Sequence, residues 1–303
     1  IIVSLVVVSC APPSSPNTGA PQTSSGAASS AATKSPIKLK VIFPQKESLQ
    51  TGGFHAIAIN KGYYAAEGLE VDPIWTTGGG EQVQLIVSRD GDIAIQTGFA
   101  SVVGAWKKGA PLTIISAAET GYFVSYWYAK ADSPIQNFTQ LSGKKVGFSN
   151  PGSGTHMALL ALQNYYKSKG LESPVIVAAG DQPSNLAAVL TGQLDVGWAG
   201  YPVNLDLIEQ GKIREVINIA RDLPGYDEIV VRVNFANSEL VKNNPEAIRR
   251  FLRVWQKVNN YYFNNPQEAF LVYTSFIKTP MASPFVISQM PKYITEKSRR
   301  LAP

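Results

Sequence analysis

One unit of predicted strands and helices occurs twice in the sequence, and this repeat constrains the fold more than any other feature. In the first copy, a strand, a loop and a helix end at Gly68, and a second set of strands and helices ends at Gly109. The second copy has the same order of elements. Its first half ends at Gly170 and its second half at Gly211, so the two glycines are 41 residues apart in each copy. Strands that alternate with helices are typical of parallel βαβ units. The repeat therefore predicts an α/β fold with two lobes, each a mostly parallel sheet flanked by helices.

The chain is predicted to pass between the two lobes twice. It leaves the first lobe over Glu119 to Ser125 and the second over Ala220 to Gly225, and a strand over Glu228 to Asn234 is expected to return to the first lobe. Two crossings form a hinge, because both must flex together. The predicted division is lobe I at residues 37–121 with 225–303, and lobe II at residues 122–224.

The part of the chain after this returning strand is predicted to be helical. Asn244 followed by Pro245 is typical of a helix start, with a capping side chain before a proline at the first helical position. Apolar residues then recur at helical spacing, which predicts a face packed in the core. These residues are Ile248, Phe251, Leu252, Trp255, Val258 and Tyr262.

The N-terminal segment indicates export. Residues 1–9 are mostly apolar and are interpreted as the remnant of a signal peptide, far short of the roughly 20 residues of a membrane-spanning helix. Val7-Val8-Ser9-Cys10 resembles the lipobox of bacterial lipoproteins, in which the cysteine is lipidated. Residues 10–36 then form the lipidated Cys10 and a flexible tether, because so polar a segment cannot bury enough apolar surface to fold. We therefore expect an extracytoplasmic protein that a lipid anchors to the cell membrane.

The composition argues against several classes of function. The net charge is +5, but no basic stripe with interleaved aromatic residues is present, so nucleic acid is not an expected partner. Cys10 is the single cysteine, which rules out an intrachain disulfide and a thiolate metal cluster. The sequence has two histidines, His55 and His156, and we expect neither a metal site nor a cofactor.

A ligand of such a fold is expected where loops lead from strand ends into helix starts. Six such loops are predicted, and they are rich in Gly, Ser and Thr. They cover residues 45–54, 76–80, 97–101, 150–155, 180–184 and 198–201. Gly152-Ser153-Gly154-Thr155 is the best candidate for holding an anionic or strongly accepting group, because the N–H groups and the dipole at a helix start attract anions. The alternative is an ordinary glycine-rich turn with a capping Ser or Thr. The lysine of a P-loop and the pattern Gly-x-Gly-x-x-Gly are both absent, which argues against nucleotide chemistry.

Aromatic residues and histidines near these loops complete the candidate site. Aromatic rings at strand ends can sandwich an organic group while they present a polar tip. His55 and His156 occupy equivalent positions one residue into their helices, and we interpret them first as caps or packing residues. The predicted ligand-binding residues are Phe54, His55, Thr97, Gly98, Tyr122, Ser153, Gly154, Thr155, Trp198 and Tyr201.

Several motifs make residues 37–288 similar to a known family. They are Ala58-Ile59-Asn60-Lys61-Gly62-Tyr63-Tyr64-Ala65-Ala66-Glu67-Gly68-Leu69-Glu70-Val71, Gly91-Asp92-Ile93-Ala94, Leu141-Ser142-Gly143-Lys144-Lys145-Val146-Gly147, Leu190-Thr191-Gly192-Gln193-Leu194-Asp195-Val196 and Asn244-Pro245-Glu246-Ala247-Ile248-Arg249-Arg250-Phe251. With these motifs the chain resembles the solute-binding subunits of ABC importers for nitrate, sulfonates, taurine and thiamine-pyrimidine precursors. The resemblance implies a type II periplasmic-binding fold and a monomeric clamshell that closes about its hinge. It also implies delivery of a small solute to an ABC permease and its ATPase.

Three hypotheses of function follow from the resemblance. The first is capture of a small organic anion, such as a sulfonate, taurine, nitrate or a carboxylate, in the cleft between the lobes. The second is capture of a neutral heteroaromatic, such as a thiamine-pyrimidine or flavin precursor. The third is an enzyme similar to the fungal pyrimidine synthases of this fold, which use a cysteine-rich motif, a lysine for pyridoxal phosphate and a sacrificial histidine. His55 lies in the corresponding region, but the body has no cysteine, so we expect a protein that is not an enzyme.

Overall fold

The computed structural model describes residues 35–120, 125–278 and 284–291. The predicted signal-peptide remnant, the lipidation site Cys10 and the tether as far as residue 34 lie outside these residues. Tyr122 of the predicted ligand site also lies outside them.

Strands and helices alternate through most of the described chain, as the repeat predicts. The strands are β1 (Ile37–Pro44), β2 (Leu69–Thr76), β3 (Ile93–Gly98), β4 (Leu112–Thr120), β5 (Ser125–Lys130), β6 (Lys145–Phe148), β7 (Val175–Ala178), β8 (Gly197–Gly200), β9 (Ile213–Ile217) and β10 (Val230–Asn237). The helices are α1 (Gly52–Asn60), α2 (Tyr63–Ala66), α3 (Gly79–Ser88), α4 (Phe99–Lys107), α5 (Gly154–Ser168), α6 (Gln182–Leu190), α7 (Leu205–Glu209), α8 (Ile219–Asp222), α9 (Ser238–Asn243), α10 (Pro245–Asn264), α11 (Pro266–Ile277) and α12 (Pro284–Pro291). A short 3-10 helix at Tyr226–Glu228 precedes β10.

The largest sheet contains β10 between β3 and β4. Its strand order is β2-β1-β3-β10-β4. β1 pairs in parallel with both β2 and β3, whereas β10 runs antiparallel to β3 and β4. β10 is the strand predicted over residues 228–234, and it lies in the first copy's sheet. Its register against β3 shifts between Val233 and Phe235, which is the sign of a bulge.

The second copy is built on two further groups of strands. β5 lies between β8 and β9 and is antiparallel to both. β6 and β7 form a parallel pair, and a parallel bridge from Val146 to Val196 connects β6 to the residue before β8. The parallel pairs join strands within one copy, while the antiparallel strands β5 and β10 each follow a predicted crossing. The sheets are therefore mixed, and the boundaries of lobe I and lobe II stay a prediction.

The four glycines that end the halves of the two copies have the same type of backbone conformation. Gly68, Gly109, Gly170 and Gly211 all have a left-handed backbone, with φ between 62° and 88°. Only glycine adopts this conformation without a steric cost. The equal spacing of these glycines therefore reflects equivalent turns in the structure.

α10 and α1 pack in the largest hydrophobic core. Asn244 Oδ1 accepts a hydrogen bond from the Ala247 N–H at 3.2 Å, so α10 begins with the cap that the sequence predicts. Phe54 of α1 stacks on Trp255 of α10 with ring centroids 4.0 Å apart. The buried residues of α10 are Ala247, Ile248, Phe251, Val254, Trp255, Val258 and Tyr262. In the described ranges, no helix combines the length and the apolar content that crossing a membrane requires.

Candidate ligand-binding site

A cavity lies where loops of the two copies face each other across their strand ends. It is small, with a volume of about 30 Å³. The lining residues are Pro44, Gln45, Ser48, Thr51, Gly78, Gly79, Gln82, Gln96 and Gly98 from the first copy, Ser149, Ser153, Gly154, Thr155 and Trp198 from the second, and Arg232 from β10. Five of the predicted ligand-binding residues are thus on this wall: Gly98, Ser153, Gly154, Thr155 and Trp198.

The start of α5 brings three hydroxyl groups together on the cavity wall. Ser153 caps the helix, since its Oγ accepts a hydrogen bond from the His156 N–H at 3.1 Å. Thr155 Oγ1 lies 2.9 Å from the Oγ atoms of both Ser149 and Ser153, and it accepts a hydrogen bond from the Ser149 N–H at 3.0 Å. All three hydroxyl side chains are buried. Ser153 thus caps the helix and also lines the cavity. A capped helix start and a ligand-binding helix start are therefore compatible interpretations of this segment.

Hydrogen bonds connect the loops of the two copies beside the cavity. Asn150 Nδ2 donates a hydrogen bond to Thr77 Oγ1 at 2.8 Å, and the Ser101 hydroxyl donates to the Gly152 carbonyl. A Cβ atom on Gly98 would lie 2.9 Å from the Gly152 oxygen, closer than real Cβ atoms approach a backbone atom. Gly98 therefore allows a closed arrangement of the loops that a side chain would obstruct.

The cation on the cavity wall is Arg232 of β10, which is not among the ligand-binding residues predicted from the sequence. Arg232 is mostly buried, and its Nε lies 3.2 Å from Oε2 of Glu119 on the neighbouring strand β4. The side chain of Glu119 is only 1% exposed. Lys46 follows β1, but its Nζ lies 5.2 Å from the centre of the Phe276 ring, and Lys46 does not line the cavity. Strand pairing brings Arg232 and Glu119 together, and no local sequence pattern signals that pairing.

Gln96 joins the cavity wall at a strained point of β3. Its φ is 54°, in the left-handed region that costs a non-glycine residue about 1–2 kcal/mol. The Gln96 N–H donates a hydrogen bond to Asn234 Oδ1 at 3.0 Å, where the register of β10 against β3 shifts. Among the described residues, the buried Oε1 of Gln96 has no hydrogen-bond partner. Backbone strain of this kind is concentrated at functional sites, and the sequence gives no sign of it.

Trp198 contributes a buried donor to the wall. Its side chain is 2% exposed, and its Nε1 has no partner within the part of the chain that the structure describes. Trp127 lies directly opposite on β5, and its Nε1 instead donates to the Gly147 carbonyl at 2.9 Å. Buried indole N–H groups usually have a partner, and an unpaired one costs about 1–3 kcal/mol. An acceptor on a ligand would remove that cost.

Four predicted ligand-binding residues lie outside the cavity wall: Phe54, His55, Thr97 and Tyr201. Phe54 packs in the core against α10, and the Thr97 hydroxyl donates to Gln82 Oε1 at 2.8 Å behind the wall. Tyr201 stacks on Tyr126 with ring centroids 4.5 Å apart. The structure does not bring these side chains to the cavity, so their part in ligand binding stays a prediction.

Both histidines make contacts within the protein, as their interpretation as caps or packing residues predicts. His55 Nδ1 lies 3.1 Å from the Tyr64 hydroxyl, and burial lowers the pKa of His55 to about 4. Its ring contacts three further aromatic rings at centroid distances of 4.8 to 5.8 Å, those of Phe43, Trp75 and Phe276. His156 Nδ1 accepts a hydrogen bond from the Gly152 N–H at 3.0 Å. No three His, Cys, Asp or Glu side chains among the described residues lie close enough together to hold a metal ion.

The fold and the cavity together define a class of protein. Two sets of α/β elements face each other across their strand ends and close over a small polar cavity, which is the architecture of the periplasmic solute-binding proteins. The family model described as NMT1/THI5 like matches residues 53–269. The chain belongs to this NMT1/THI5-like family.

Two solved structures illustrate the likeness of fold. The alkanesulfonate-binding protein SsuA from Xanthomonas axonopodis pv. citri, bound to MOPS, superposes with a TM-score of 0.70 at 13% identity, over 86% of this chain and 85% of that chain. The periplasmic nitrate-binding protein NrtA from Synechocystis PCC 6803 superposes with a TM-score of 0.62 at 17% identity, over 81% of this chain and 68% of that chain. At such identities the likeness establishes the fold and leaves the ligand open.

Several curated relatives carry an enzyme name. The 4-amino-5-hydroxymethyl-2-methylpyrimidine phosphate synthase THI13 of Saccharomyces cerevisiae is 24% identical over 236 residues, which cover 73% of this chain. The chain spans 66% of the length of that relative, just under two thirds. Another relative, the "Putative binding protein BAB2_1146" of Brucella abortus (strain 2308), is 25% identical over 239 residues, which cover 75% of this chain and 68% of that relative. Similarity in sequence therefore leads both to synthases and to a binding protein.

Proposed function

We propose that this protein is the extracytoplasmic solute-binding subunit of an ABC importer, which captures a small solute and delivers it to a membrane permease. The observation that carries the proposal is the cavity at the facing strand ends, over which loops of the two copies make direct contact. Closure about a hinge buries the solute and changes the outer shape, so a permease can distinguish the loaded form. The proposed export and the lipid anchor at Cys10 rest on the sequence alone.

A small organic anion, such as a sulfonate, taurine, nitrate or a carboxylate, is the first candidate ligand. Arg232 supplies a cation, and the start of α5 supplies N–H groups and the positive end of a helix dipole. The names of SsuA and NrtA, as alkanesulfonate-binding and nitrate-binding proteins, agree with this class.

A neutral heteroaromatic, such as a thiamine-pyrimidine or flavin precursor, is the second candidate ligand. Glu119 offsets the charge of Arg232. Trp198 adds an aromatic ring to the wall, and its N–H has no partner among the described residues. The name of the yeast relative THI13 contains a substituted pyrimidine, which agrees with this class.

A synthase is the different-class alternative, and we propose that the protein is not one. His55 is buried behind the cavity wall at 2% exposure, and no described lining residue is a lysine that could hold pyridoxal phosphate. Incubation with pyridoxal phosphate should therefore give only the weak, reversible Schiff-base absorbance of exposed lysines, which is lost on desalting. A stable Schiff-base absorbance band that borohydride converts into the band of the reduced secondary amine would support the synthase instead.

A thermal-shift screen of the purified protein tests the proposed function. The panel contains sulfonates, nitrate, carboxylates and pyrimidines, each at several concentrations. A ligand at 100 times its Kd stabilises the folded state by about 2.7 kcal/mol, which is a measurable rise in Tm. The Arg232→Gln variant, compared at its own Tm, should lose the shift for an anion. If no class of small solute raises Tm, the proposed function is wrong.

A further inference from the structure

The charge of the cavity is balanced before any ligand enters. Arg232 is the one residue on the described wall that carries a charge at neutral pH. Glu119 lies 3.2 Å from its guanidinium and is almost fully buried, so the two charges offset each other. An anionic ligand would have to compete with Glu119 for Arg232 at a place where water screens little.

The helix start on the wall is also largely occupied by the protein itself. The side chain of Ser153 accepts the hydrogen bond of the His156 N–H. The Gly154 nitrogen faces Gly98 so closely that a Cβ on Gly98 would lie 3.0 Å from it. Capping and packing therefore reduce the capacity of α5 to attract an anion.

Trp198 and Gln96 line the cavity, and each has a buried polar atom with no hydrogen-bond partner within the described residues. The two atoms are complementary in kind. Trp198 Nε1 can only donate a hydrogen bond, and Gln96 Oε1 can only accept one. Both atoms are buried, and leaving either unpaired is unfavourable. A ligand that offers acceptors alone, such as nitrate or an alkanesulfonate, would satisfy Trp198 but leave Gln96 without a donor.

We propose that the cavity takes an uncharged molecule that carries both a hydrogen-bond acceptor and an N–H or O–H donor, of the carboxamide, sulfonamide or lactam type. Cations and zwitterions are disfavoured as well, because no described residue of the wall is a carboxylate. This inference rests on the proposed function and chooses between its two ligand classes. It selects the neutral class from the balance of charge and from the two unpaired atoms.

Isosteric pairs of compounds test the charge of the ligand directly. Benzenesulfonamide with benzenesulfonate, and nicotinamide with nicotinate, differ in charge while they keep nearly the same size. By calorimetry at neutral pH, the amide of each pair should bind at least about tenfold more tightly than the acid. Its affinity should also be nearly independent of salt concentration. Tighter binding of the acids overturns the inference and leaves the proposed function standing.

The Glu119→Gln variant tests the balance of charge. Removing the carboxylate takes one negative charge from beside Arg232, so affinity for benzenesulfonate and nicotinate should rise at least about tenfold. Glu239→Gln is the matched control, because Glu239 pairs with Arg89 at 2.8 Å on the exposed surface, away from the cavity. Its affinities should equal those of the parent. An unchanged affinity of folded Glu119→Gln for the acids contradicts the inference.

Native mass spectrometry separates failure of the inference from failure of the proposed function, and it needs no variant. The protein is exposed to a cell extract, and the retained small molecule is identified by its mass and its electrophoretic charge. An uncharged molecule with a donor and an acceptor supports the inference, and an anion overturns it. If nothing is retained and no compound of the panel binds, the proposed function itself is wrong.

Discussion

Asp92 Oδ2 accepts a hydrogen bond from the Lys40 N–H at 2.7 Å, which connects the start of β3 to β1. The second copy contains the same contact, because Asp195 Oδ2 accepts from the Lys145 N–H, also at 2.7 Å. In both pairs the aspartate N–H donates back to the lysine carbonyl, at 2.9 and 3.0 Å. The two copies thus share an atomic contact as well as an order of elements.

Replacing either aspartate by alanine should destabilise the protein by about 1–2 kcal/mol, because each removes a charge-assisted hydrogen bond to a strand end. The two losses should add to within about 0.5 kcal/mol in the double variant, since the contacts lie in different sheets. Urea denaturation of Asp92→Ala, Asp195→Ala and the double variant measures this. Asp132→Ala is the control, because that side chain is 78% exposed and has only a 3.7 Å ion pair. An Asp92 or Asp195 variant that is as stable as the control contradicts the prediction.

Local sequence signals predicted the repeat and the helix starts. Equal spacing identified glycines such as Gly68 and Gly170 as equivalent, and both have the same left-handed backbone. Asn244 with Pro245 predicted the start of α10 to the residue. These features depend on backbone geometry within a few positions, and amino-acid identity reports such geometry directly.

Long-range strand pairing could not be predicted in the same way. Arg232 reaches the cavity because β10 inserts antiparallel beside β3, and it meets Glu119 because the other edge of β10 pairs with β4. The left-handed backbone of Gln96 depends on Asn234 across the same pairing. Aromatic residues near loop ends predicted the cavity wall less well, since Phe54 stacks on Trp255 in the core instead.

Gly98→Ala should hold the protein open and weaken ligand binding. The added methyl would lie 2.9 Å from the Gly152 oxygen, so the two loops cannot keep their contact without moving apart. We expect an affinity loss of at least about tenfold, or 1.4 kcal/mol, and a larger radius of gyration by small-angle scattering in the presence of ligand.

Gly104→Ala is the matched control for this glycine, since it lies in α4 and a Cβ there would meet nothing within 4 Å. Alanine at an open helical position should stabilise the protein by about 0.5–1 kcal/mol and leave ligand affinity unchanged. Equal affinity of the Gly98→Ala variant and the parent would show that the contact beside the cavity has no part in closure.

His55 should make the protein less stable as the pH falls from about 6.5 to about 4. Burial lowers its pKa from 6.5 to about 4, so in this window the unfolded chain binds a proton that the folded chain does not. Folding stability therefore falls with decreasing pH, by up to about 3 kcal/mol, and does not depend on this group above pH 6.5. Denaturant titrations at several pH values between 4.5 and 7.5 measure the slope.

The His55→Gln variant should lose most of this slope, because glutamine does not titrate. His156→Gln is the comparison, since burial also lowers the pKa of His156, but that side chain is less buried. Its removal should change the slope less. If His55→Gln keeps the full pH dependence of the parent, the destabilisation at low pH has another source.

Trp198→Phe should weaken ligand binding without weakening the fold. The variant removes a buried N–H that has no partner among the described residues, so the unliganded protein should be as stable as the parent or slightly more so. Trp127→Phe is a matched control directly across the strand pair, since it removes an N–H that donates to the Gly147 carbonyl. That variant should lose about 1 kcal/mol of stability and keep its ligand affinity. Urea denaturation and calorimetry of the two variants should therefore give opposite patterns, because one indole N–H serves the ligand and the other serves the sheet. A Trp198→Phe variant that is destabilised yet binds normally would place this N–H in the fold rather than in the binding site.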